Sequence, residues 1–441
     1  MPITLVSRAR WSLMVQFALF GLIMSSWTSR MPSVRESLDI SALQLGSLLI
    51  IGGFGSLIGA VGVGAIVARF GSRATLLAGT IGNVVGFGLD AVGLANGDLA
   101  PFIAGVFING LCGALINVPV NINAASVEQH LRRAVLPHFH AAFSIGAAGG
   151  ALVGAGFALA GVHIATQIVV VTLVVTGLRL WLLRPATALT VRAAVTTATG
   201  SIDAHGTGRR NRRAVKSALA AWREPRTLLL GVVLLAASLA EGSATTWLSL
   251  AVVDGFEAAE AVGAIAYATF VGAMTVFRFV GTRLIDRFGR VAVLRVSGVS
   301  ALVGLALFVF GPNLAVAWIG IVLWGCGAAL GNPIAISAAS DDPERAGQRV
   351  SVVTSFSTIS SLTAPPLLGL LADAVGARYA LAAIGAVMIV SLSVAGQVRR
   401  RPIEPAPEPA PSPEPAPDHS IRTGPATSTV PSDTGGPERR R

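Results

Sequence analysis

The chain has 441 residues, of which 53% are hydrophobic and 12% are charged, and its formal net charge is +11. So few charged residues cannot cover the surface of a soluble globule of this length, and the composition predicts a protein of the lipid bilayer. The arginines lie in segments between apolar runs, so the positive charge indicates membrane topology and no nucleic-acid partner.

Apolar runs long enough to cross a bilayer follow one another along most of the chain. A transmembrane helix needs about 20 mostly apolar residues, and the strict alternation of a membrane barrel is absent from the sequence. The first run follows Arg8 and Arg10, but it has no small-residue cleavage site and is predicted to be a retained helix. The predicted spans are 11–28, 43–67, 74–94, 101–124, 136–160, 164–183, 228–253, 258–284, 291–310, 315–338, 350–372 and 379–398.

These runs predict an all-α membrane protein with about twelve transmembrane helices in two pseudo-symmetric six-helix bundles. An arginine-rich turn that occurs twice, about half the chain apart, supports this division into two related halves. Cys112 and Cys326 occupy equivalent apolar positions and are predicted to be packing residues, with no disulfide framework, metal site or cofactor. The two copies of the turn are Ala68-Arg69-Phe70-Gly71-Ser72-Arg73 and Asp286-Arg287-Phe288-Gly289-Arg290-Val291.

The chain is predicted to consist of four segments. Residues 1–184 and 227–400 are the two six-helix bundles, and 185–226 is a polar linker between them. Residues 401–441 form a proline-rich tail that is predicted to be disordered. Because short arginine-rich loops lie on the cytoplasmic side, both termini are expected in the cytoplasm, with the protein in a bacterial inner membrane.

Six helices per half, with an Arg-Phe-Gly turn after the second helix of each, resemble the major facilitator superfamily over residues 11 to 398. The family signature is a glycine, then an aspartate four residues on, followed by Arg-x-Gly-x-Arg. Ala68 replaces the aspartate in the first copy, and Thr282 replaces the glycine in the second. The resemblance implies that these turns clamp the halves together in the outward-facing state, more firmly through the second copy. The matching residues are Gly64, Arg69, Gly71 and Arg73, and then Asp286, Arg287, Gly289 and Arg290.

Within this family, the segments 27–35 and 139–144 look most like those of the fucose permeases. That resemblance implies a sugar-like solute and membrane acids on the first and fourth helices. The first predicted helix has no acid, and Glu128 lies at the cytoplasmic end of the fourth. Drug–proton antiporters of the family carry an arginine at the position of Asn109. The sequence therefore lacks a main marker of drug export.

Charged residues deep in a predicted span are costly and often functional. Glu241 lies midway along the seventh span and is a candidate proton carrier, although it could instead hydrogen-bond a neighbouring helix. Arg278 in the eighth span could reach the membrane surface or pair with Glu241. Asp90, about one turn from the outer end of the third span, is predicted to be interfacial.

Polar and aromatic side chains in other spans complete the candidate site. Amides on one face of the fourth span could bind hydroxyl groups of a ligand or hold helices together. His140 begins the fifth span and is either a proton-linked gate or a structural histidine. Trp27 and Trp247 occupy comparable positions in the two halves, as interfacial anchors or as stacking surfaces for a sugar ring. The amides are Asn109, Asn117 and Asn121.

The sequence therefore predicts a monomeric secondary transporter of a small polar organic solute that works by alternating access, with proton coupling through Glu241 as a hypothesis. The alternatives are efflux of amphipathic compounds, a non-transporting sensor or a membrane enzyme. A sensor would need a folded soluble domain, and the only long polar segments are the linker and the tail. An enzyme would need clustered catalytic or metal-binding groups, and His130, His138 and His140 have no matching carboxylate or cysteine set.

Overall fold

The computed structural model of the chain describes residues 3–132, 135–189, 221–342 and 345–399, which are helical and contain no strand. The predicted 185–226 linker falls largely on residues 190–220, outside these ranges, as does the whole predicted 401–441 tail. In chain order the helices are α1 (Ile3–Thr28), α2 (Met31–Leu38), α3 (Ala42–Asn96), α4 (Leu99–Leu131), α5 (Leu136–Leu159), α6 (Ile164–Ala186), α7 (Pro225–Phe256), α8 (Glu260–Phe310), α9 (Leu314–Ala328), α10 (Gly331–Ala339), α11 (Ala346–Val375), α12 (Ala377–Ala380) and α13 (Ala382–Val394), followed by a 3₁₀ segment (Ala395–Val398).

Ten helical segments in the described ranges are long and apolar enough to cross a membrane. Two of them, α3 and α8, are each divided by one glycine whose backbone is not helical. Gly71 has φ 84° and ψ 162°, and Gly289 has φ 78° and ψ 159°. This backbone region is essentially restricted to glycine, which explains why both copies of the arginine-rich turn carry one. The described residues therefore form twelve crossings, which confirms the predicted all-α membrane fold.

The tenth predicted span, 315–338, contains a break that the sequence analysis did not anticipate. The helix stops at Ala328 and resumes at Gly331. Pro333 has no backbone N–H, so it cannot donate to the carbonyl oxygen of Ala329 four residues earlier. That carbonyl oxygen is left free to accept a hydrogen bond from another helix.

The two membrane faces are named here by residues that lie at them. The Arg30 face is the one at which α1 ends and α8 begins, and the Arg69 face is the opposite one, which carries the turns at Gly71 and Gly289. Near the Arg30 face, apolar side chains of the first bundle share one core cluster with the second bundle. Near the Arg69 face, the apolar side chains of the first bundle form a cluster of their own. The core that the two bundles share therefore lies toward the Arg30 face.

The bundles meet where α3 packs on α11 and α5 packs on α8. The crossing of α3 and α11 is so close that it requires glycine on both helices. A Cβ atom on Gly369 would lie 2.5 Å from the carbonyl oxygen of Ala42, and one on Gly46 would clash with the carbonyl oxygen of Pro365. These contacts lie near the start of α3 and the end of α11, again toward the Arg30 face.

Candidate functional site

A cavity of ≈ 320 Å³ lies at the middle of the membrane, among α7, α10 and α11. Its lining is rich in hydroxyl groups and includes one carboxylate and one amide. Hydroxyls and amides can both donate and accept hydrogen bonds, so this surface suits a ligand with several hydroxyl groups. The polar lining residues are Ser238, Glu241, Ser243, Thr245, Thr246, Asn332, Ser357, Ser360 and Ser361.

Glu241 is the charged group of this cavity, as the sequence suggested. Its Oε2 accepts hydrogen bonds from Nη2 of Arg278 at 2.9 Å and from Nδ2 of Asn332 at 3.1 Å. The side chains of Glu241 and Arg278 are 28% and 32% exposed, so the pair is accessible from the interior space. Of the two alternatives for Arg278, pairing with Glu241 is therefore the one that the structure contains.

The position of Arg278 depends on the break between α9 and α10. Its Nε donates to the carbonyl oxygen of Ala329 at 3.2 Å, which is the oxygen left free by Pro333. A second set of contacts joins α7, α10 and α11, because Oγ of Ser238 lies 2.8 Å from Oγ of Ser357 and 3.3 Å from Oδ1 of Asn332. The cavity wall is therefore held by polar contacts among α7, α8, α10 and α11.

Asn109 belongs to a different group, inside the first bundle. Its Nδ2 donates to Oδ2 of Asp90 at 2.7 Å, and its Oδ1 accepts from Asn83 at 3.0 Å. Oδ1 of Asn83 accepts from Arg179 at 3.2 Å. The expectation that Asp90 is interfacial is wrong, since it is only 2% exposed and lies against Gly105 of α4.

The buried Arg179 was missed by the sequence analysis. It is 1% exposed, and its guanidinium lies over the ring of Phe20, 5.9 Å from the ring centroid. The available signal was an arginine inside the predicted span 164–183, because a charged residue within an apolar run is costly. The pairing of such a residue depends on neighbouring helices, which no local pattern specifies.

The other amides of the α4 stripe do not join the ≈ 320 Å³ cavity. Asn121 donates to the carbonyl oxygen of Asn117 at 2.9 Å and to its Oδ1 at 2.6 Å. Asn117 is exposed and Asn121 is half-buried, so both lie on an uncovered face of α4. They are separated in this structure from Asn109, whose side chain points to α3.

His140 and the two tryptophans lie in contrasting environments. His140 is exposed and packs edge-on against Phe17, with ring centroids 5.5 Å apart. Trp27 and Trp247 are 8% and 1% exposed, inside the core that both bundles share. Neither indole is an interfacial anchor or an open stacking surface in this conformation.

The two arginine-rich turns make no hydrogen bond or ion pair between the bundles within the described residues. Arg69 is exposed and lies over Phe70, and Arg287 lies over Phe288 in the same way, with centroid distances of 5.3 and 5.4 Å. Arg290 bonds inside its own bundle, to Asp341 at 2.6 Å. Arg73 and Asp286 are exposed. The clamp implied by the family resemblance is not engaged in this conformation.

An ion-pair cluster closes the second bundle at the Arg69 face. Arg349 donates to both carboxylate oxygens of Glu224 at 2.8 Å, and Thr227 donates to the same carboxylate at 2.8 Å. Burial alone raises the pKa of Glu224, but the hydrogen bonds from Arg349 and Thr227 and the charges of Arg349 and Arg345 outweigh it. The pKa of Glu224 therefore lies below its ordinary value.

This lowered pKa predicts a pH dependence of stability. The contribution of Glu224 is fully present above its unfolded-state pKa and is lost as the pH falls through the lower folded-state pKa. We expect Glu224→Gln to lose about 1.5–3 kcal/mol at neutral pH, as for a hydrogen bond to a charged group, and to flatten the acid side of the stability curve. Thermal unfolding of the purified protein, followed at a series of pH values, measures this change in stability and its pH dependence. Glu257→Gln, at an exposed carboxylate, is the control, and equal slopes for wild type and Glu224→Gln would refute the assignment.

The opposite face is sealed by polar contacts between the bundles. The carboxylate of Glu260, at the start of α8, lies 2.8 Å from Nε of Arg30 and accepts hydrogen bonds from Ser33 N at 3.0 Å and Ser33 Oγ at 2.7 Å. The Arg30 side chain is 5% exposed and also donates to Gln167 at 2.9 Å. Glu260 thus satisfies backbone and side-chain donors at the start of α2, which belongs to the other bundle.

A second carboxylate crosses between the bundles in the same way. Asp373, near the end of α11, accepts from the backbone N–H groups of Ala42 and Leu43 at 2.9 and 3.0 Å, at the first turn of α3. Carboxylates are favourable there because helix N-termini carry unpaired donors and partial positive charge. An exposed pair, Arg35 with Asp254 at 2.6 Å, lies on the same face.

All the hydrogen bonds and ion pairs that the described residues form between the bundles lie in the half of the membrane toward the Arg30 face. The structure is therefore closed at the Arg30 face. Two pseudo-symmetric bundles, a polar cavity at mid-membrane and a closure on one side define an integral membrane transporter of the alternating-access type.

The chain belongs to the Major Facilitator Superfamily, whose family model matches residues 12–361. A relative from Sinorhizobium fredii, named uncharacterized transporter y4wD, is 32% identical over 84% of this chain and 92% of its own length. The family is one of transporters and this relative carries a transporter's name, so the chain is a secondary transporter in the bilayer that acts on small molecules, and it is not an enzyme.

Solved structures share the fold. A mutant form of the nucleoside transporter NupG aligns with a TM-score of 0.70 at 11% identity, covering 89% of this chain and 99% of that one. A variant of the E. coli fucose:proton symporter FucP aligns with a TM-score of 0.55 at 17% identity, covering 88% of this chain and 100% of that one. At such identities the likeness concerns the fold alone.

Proposed function

We propose that the protein transports a small, neutral, polyhydroxylated solute and that Glu241 couples this transport to protons. The observation that carries the proposal is the Glu241–Arg278 ion pair at the edge of a hydroxyl-lined cavity at mid-membrane. The volume of ≈ 320 Å³ is at the lower end of the range of about 300–1,000 Å³ that small-molecule sites occupy. A solute of the size of one sugar ring suits this volume.

The lining supports a neutral, hydroxyl-bearing solute. Serine, threonine and asparagine side chains supply both donors and acceptors, and Glu241 is already neutralised by Arg278. An anionic or cationic solute would have to displace one partner of that pair. NupG is a nucleoside transporter and FucP is a fucose:proton symporter, and both ligand classes carry several hydroxyl groups.

Proton coupling follows from the geometry of the pair. A proton that reaches Glu241 removes its negative charge and frees Arg278, which then has only the carbonyl oxygen of Ala329 among its described hydrogen-bond acceptors. The pair is partly exposed to the interior space, so its release leaves an unpaired positive charge beside that space. Protonation of Glu241 is thereby linked to the rocking of one bundle on the other.

We propose that the Arg69 face is cytoplasmic and that both termini lie there, in a bacterial inner membrane. The arginine-rich turns supply the support, since short cytoplasmic loops are enriched in lysine and arginine. In that orientation the structure is inward-facing. The cavity and the ion pair are built from a single chain, which supports a monomer as the transporting unit.

The test uses purified full-length protein in liposomes that contain a pH-sensitive dye. Sugars, sugar acids, nucleosides, amino acids and amphipathic dyes are added one at a time. We expect internal pH to change with a neutral polyhydroxylated compound, and the change to disappear in Glu241→Gln. Glu257→Gln, which alters an exposed carboxylate, should behave as wild type.

Two outcomes would overturn the proposal. Proton movement that persists in Glu241→Gln would remove Glu241 from the coupling. A response to amphipathic dyes alone would replace the solute class with the efflux alternative. Tracer uptake measured without a pH gradient separates the two parts, because Glu241→Gln should still exchange the solute across the membrane.

A further inference from the structure

A cleft of ≈ 770 Å³ lies at the Arg69 face, far from the hydroxyl-lined cavity. It is bounded by the turn inside α8, the end of α10 and the end of the last helical segment. Three of its lining residues are arginines, Arg290, Arg295 and Arg399, and they face a single lining carboxylate, Asp286. The cleft is therefore a positively charged surface that the proposed transport mechanism does not use.

Two of these arginines have no charged partner among the described residues. Arg290 is neutralised by Asp341 at 2.6 Å and also donates to Ser337 at 2.8 Å. The side chains of Arg295 and Arg399 are exposed and form no hydrogen bond or ion pair with any described part of the chain. Exposed guanidinium groups without a carboxylate partner are suited to an external phosphate, which they can bind through two parallel hydrogen bonds.

An apolar stripe begins directly beside the charged cleft. Val296, Val299 and Val303 follow Arg295 on α8 and are 68%, 51% and 46% exposed. Residues three and four apart share one face of a helix, so the valines form a single line along the membrane-crossing part of α8. Large apolar side chains left exposed in a transmembrane helix contact lipid tails. Phe288, 58% exposed, adds apolar surface at the cleft.

We propose that this cleft binds the headgroup of an anionic phospholipid, with its phosphate on Arg295 and Arg399 and one acyl chain along the valine stripe. Basic pockets between transmembrane helices favour such headgroups, and an arginine within a turn of the helix end can extend to the membrane surface. A free phosphate would use the arginines but would leave the apolar stripe without a role. The adjoining stripe therefore favours a lipid.

Binding at this place would act on the turn at Gly289 that divides α8. The cleft includes Gly289, whose φ of 78° divides α8 into two crossings, and Arg290, which joins α8 to Asp341 beyond α10. A headgroup that occupies the cleft contacts the turn and the end of the last helix together. The bound lipid would thereby stabilise the Arg69 end of the second bundle as one unit.

The test is native mass spectrometry of the purified full chain with added phosphatidylglycerol or phosphatidylcholine. We expect preferential retention of phosphatidylglycerol and roughly 30-fold weaker binding in Arg295→Gln/Arg399→Gln. That factor follows because each arginine near an anionic surface contributes about 1 kcal/mol and 1.4 kcal/mol is tenfold. The matched control is Arg8→Gln/Arg184→Gln, which removes two exposed arginines from the same face and should keep the preference.

Several results would overturn the proposal. Equal retention of the two lipids, or equal loss in the control variant, would show that no specific site exists. Displacement of the lipid by inorganic phosphate at the same concentration would make this a free-anion site. Thermal unfolding of each variant without lipid verifies that it is folded.

Discussion

Substitution of Glu260 by alanine is expected to open the Arg30 face. The change removes the partner of Arg30, which is 5% exposed, and the acceptor of two hydrogen bonds from Ser33. Loss of one partner of a buried ion pair costs about 3–5 kcal/mol, because the remaining charge stays buried without compensation. Because the pair joins the two bundles, opening of the Arg30 face would separate its partners. The ratio of closed to open protein should therefore fall by at least roughly 100-fold.

Spin labels at Asn96 and Ala315, exposed on the Arg30 face in different bundles, measure this change in a background without native cysteines. Wild type should show one short distance, and Glu260→Ala should show mainly a longer one. Arg35→Gln is the matched control, since it removes an ion pair between the bundles whose side chains are both 37% exposed. Exposed pairs contribute only about 0–1 kcal/mol, so this control should leave the distance nearly unchanged. A shift of equal size in both variants would contradict the role of Glu260.

Substitution of Arg278 alone is expected to weaken solute binding more than substitution of Arg278 together with Glu241. In Arg278→Gln the carboxylate of Glu241 keeps its charge beside the cavity and retains only Asn332 as a described donor. In Glu241→Gln/Arg278→Gln both charges are gone, and the cavity remains neutral. Contacting residues commonly show interaction energies of about 0.5–3 kcal/mol, so we expect the double variant to recover roughly tenfold in affinity over Arg278→Gln.

Equilibrium binding of the solute identified in liposomes, measured with the four proteins of this double-mutant cycle, provides the interaction energy. Arg283→Gln is the control, because Arg283 lies on the same helix but is exposed and has no described partner. It should bind the solute as wild type does. Strictly additive effects of the two single substitutions would show that the ion pair does not act as a unit in the solute site.

Local patterns in the sequence were sufficient for the fold. The apolar runs predict twelve crossings because helix length and hydrocarbon thickness must match, and this requirement is local. The repeated Arg-Phe-Gly turn predicts two related halves, and in both copies the glycine adopts a backbone conformation that other residues avoid. The break between α9 and α10 was not anticipated, but it also has a local cause, which is Pro333.

Hydrogen-bond and ion-pair partners on different helices could not be predicted from local patterns. Glu241 and Arg278 were recognised as costly charges in apolar spans, but their pairing depends on how α7 and α8 pack. Asp90 was expected at the membrane interface, whereas neighbouring helices bury it. They also bury Arg179, which the sequence analysis did not single out. Trp247 looked like a site residue because of its position, and packing places it in the core.

By itself, the sequence determined the membrane location, the helical class, the duplication and the charge that identifies the cavity. These properties depend on composition and on short spacings, which are the same in any arrangement of the helices. Only the tertiary structure decided which polar groups meet, as in the closure of the Arg30 face by Glu260 and Asp373. Each of these contacts joins residues more than 200 positions apart in the sequence. A hydrogen bond requires its donor and acceptor atoms to lie about 3 Å apart, and only the packing of whole helices brings such distant residues that close.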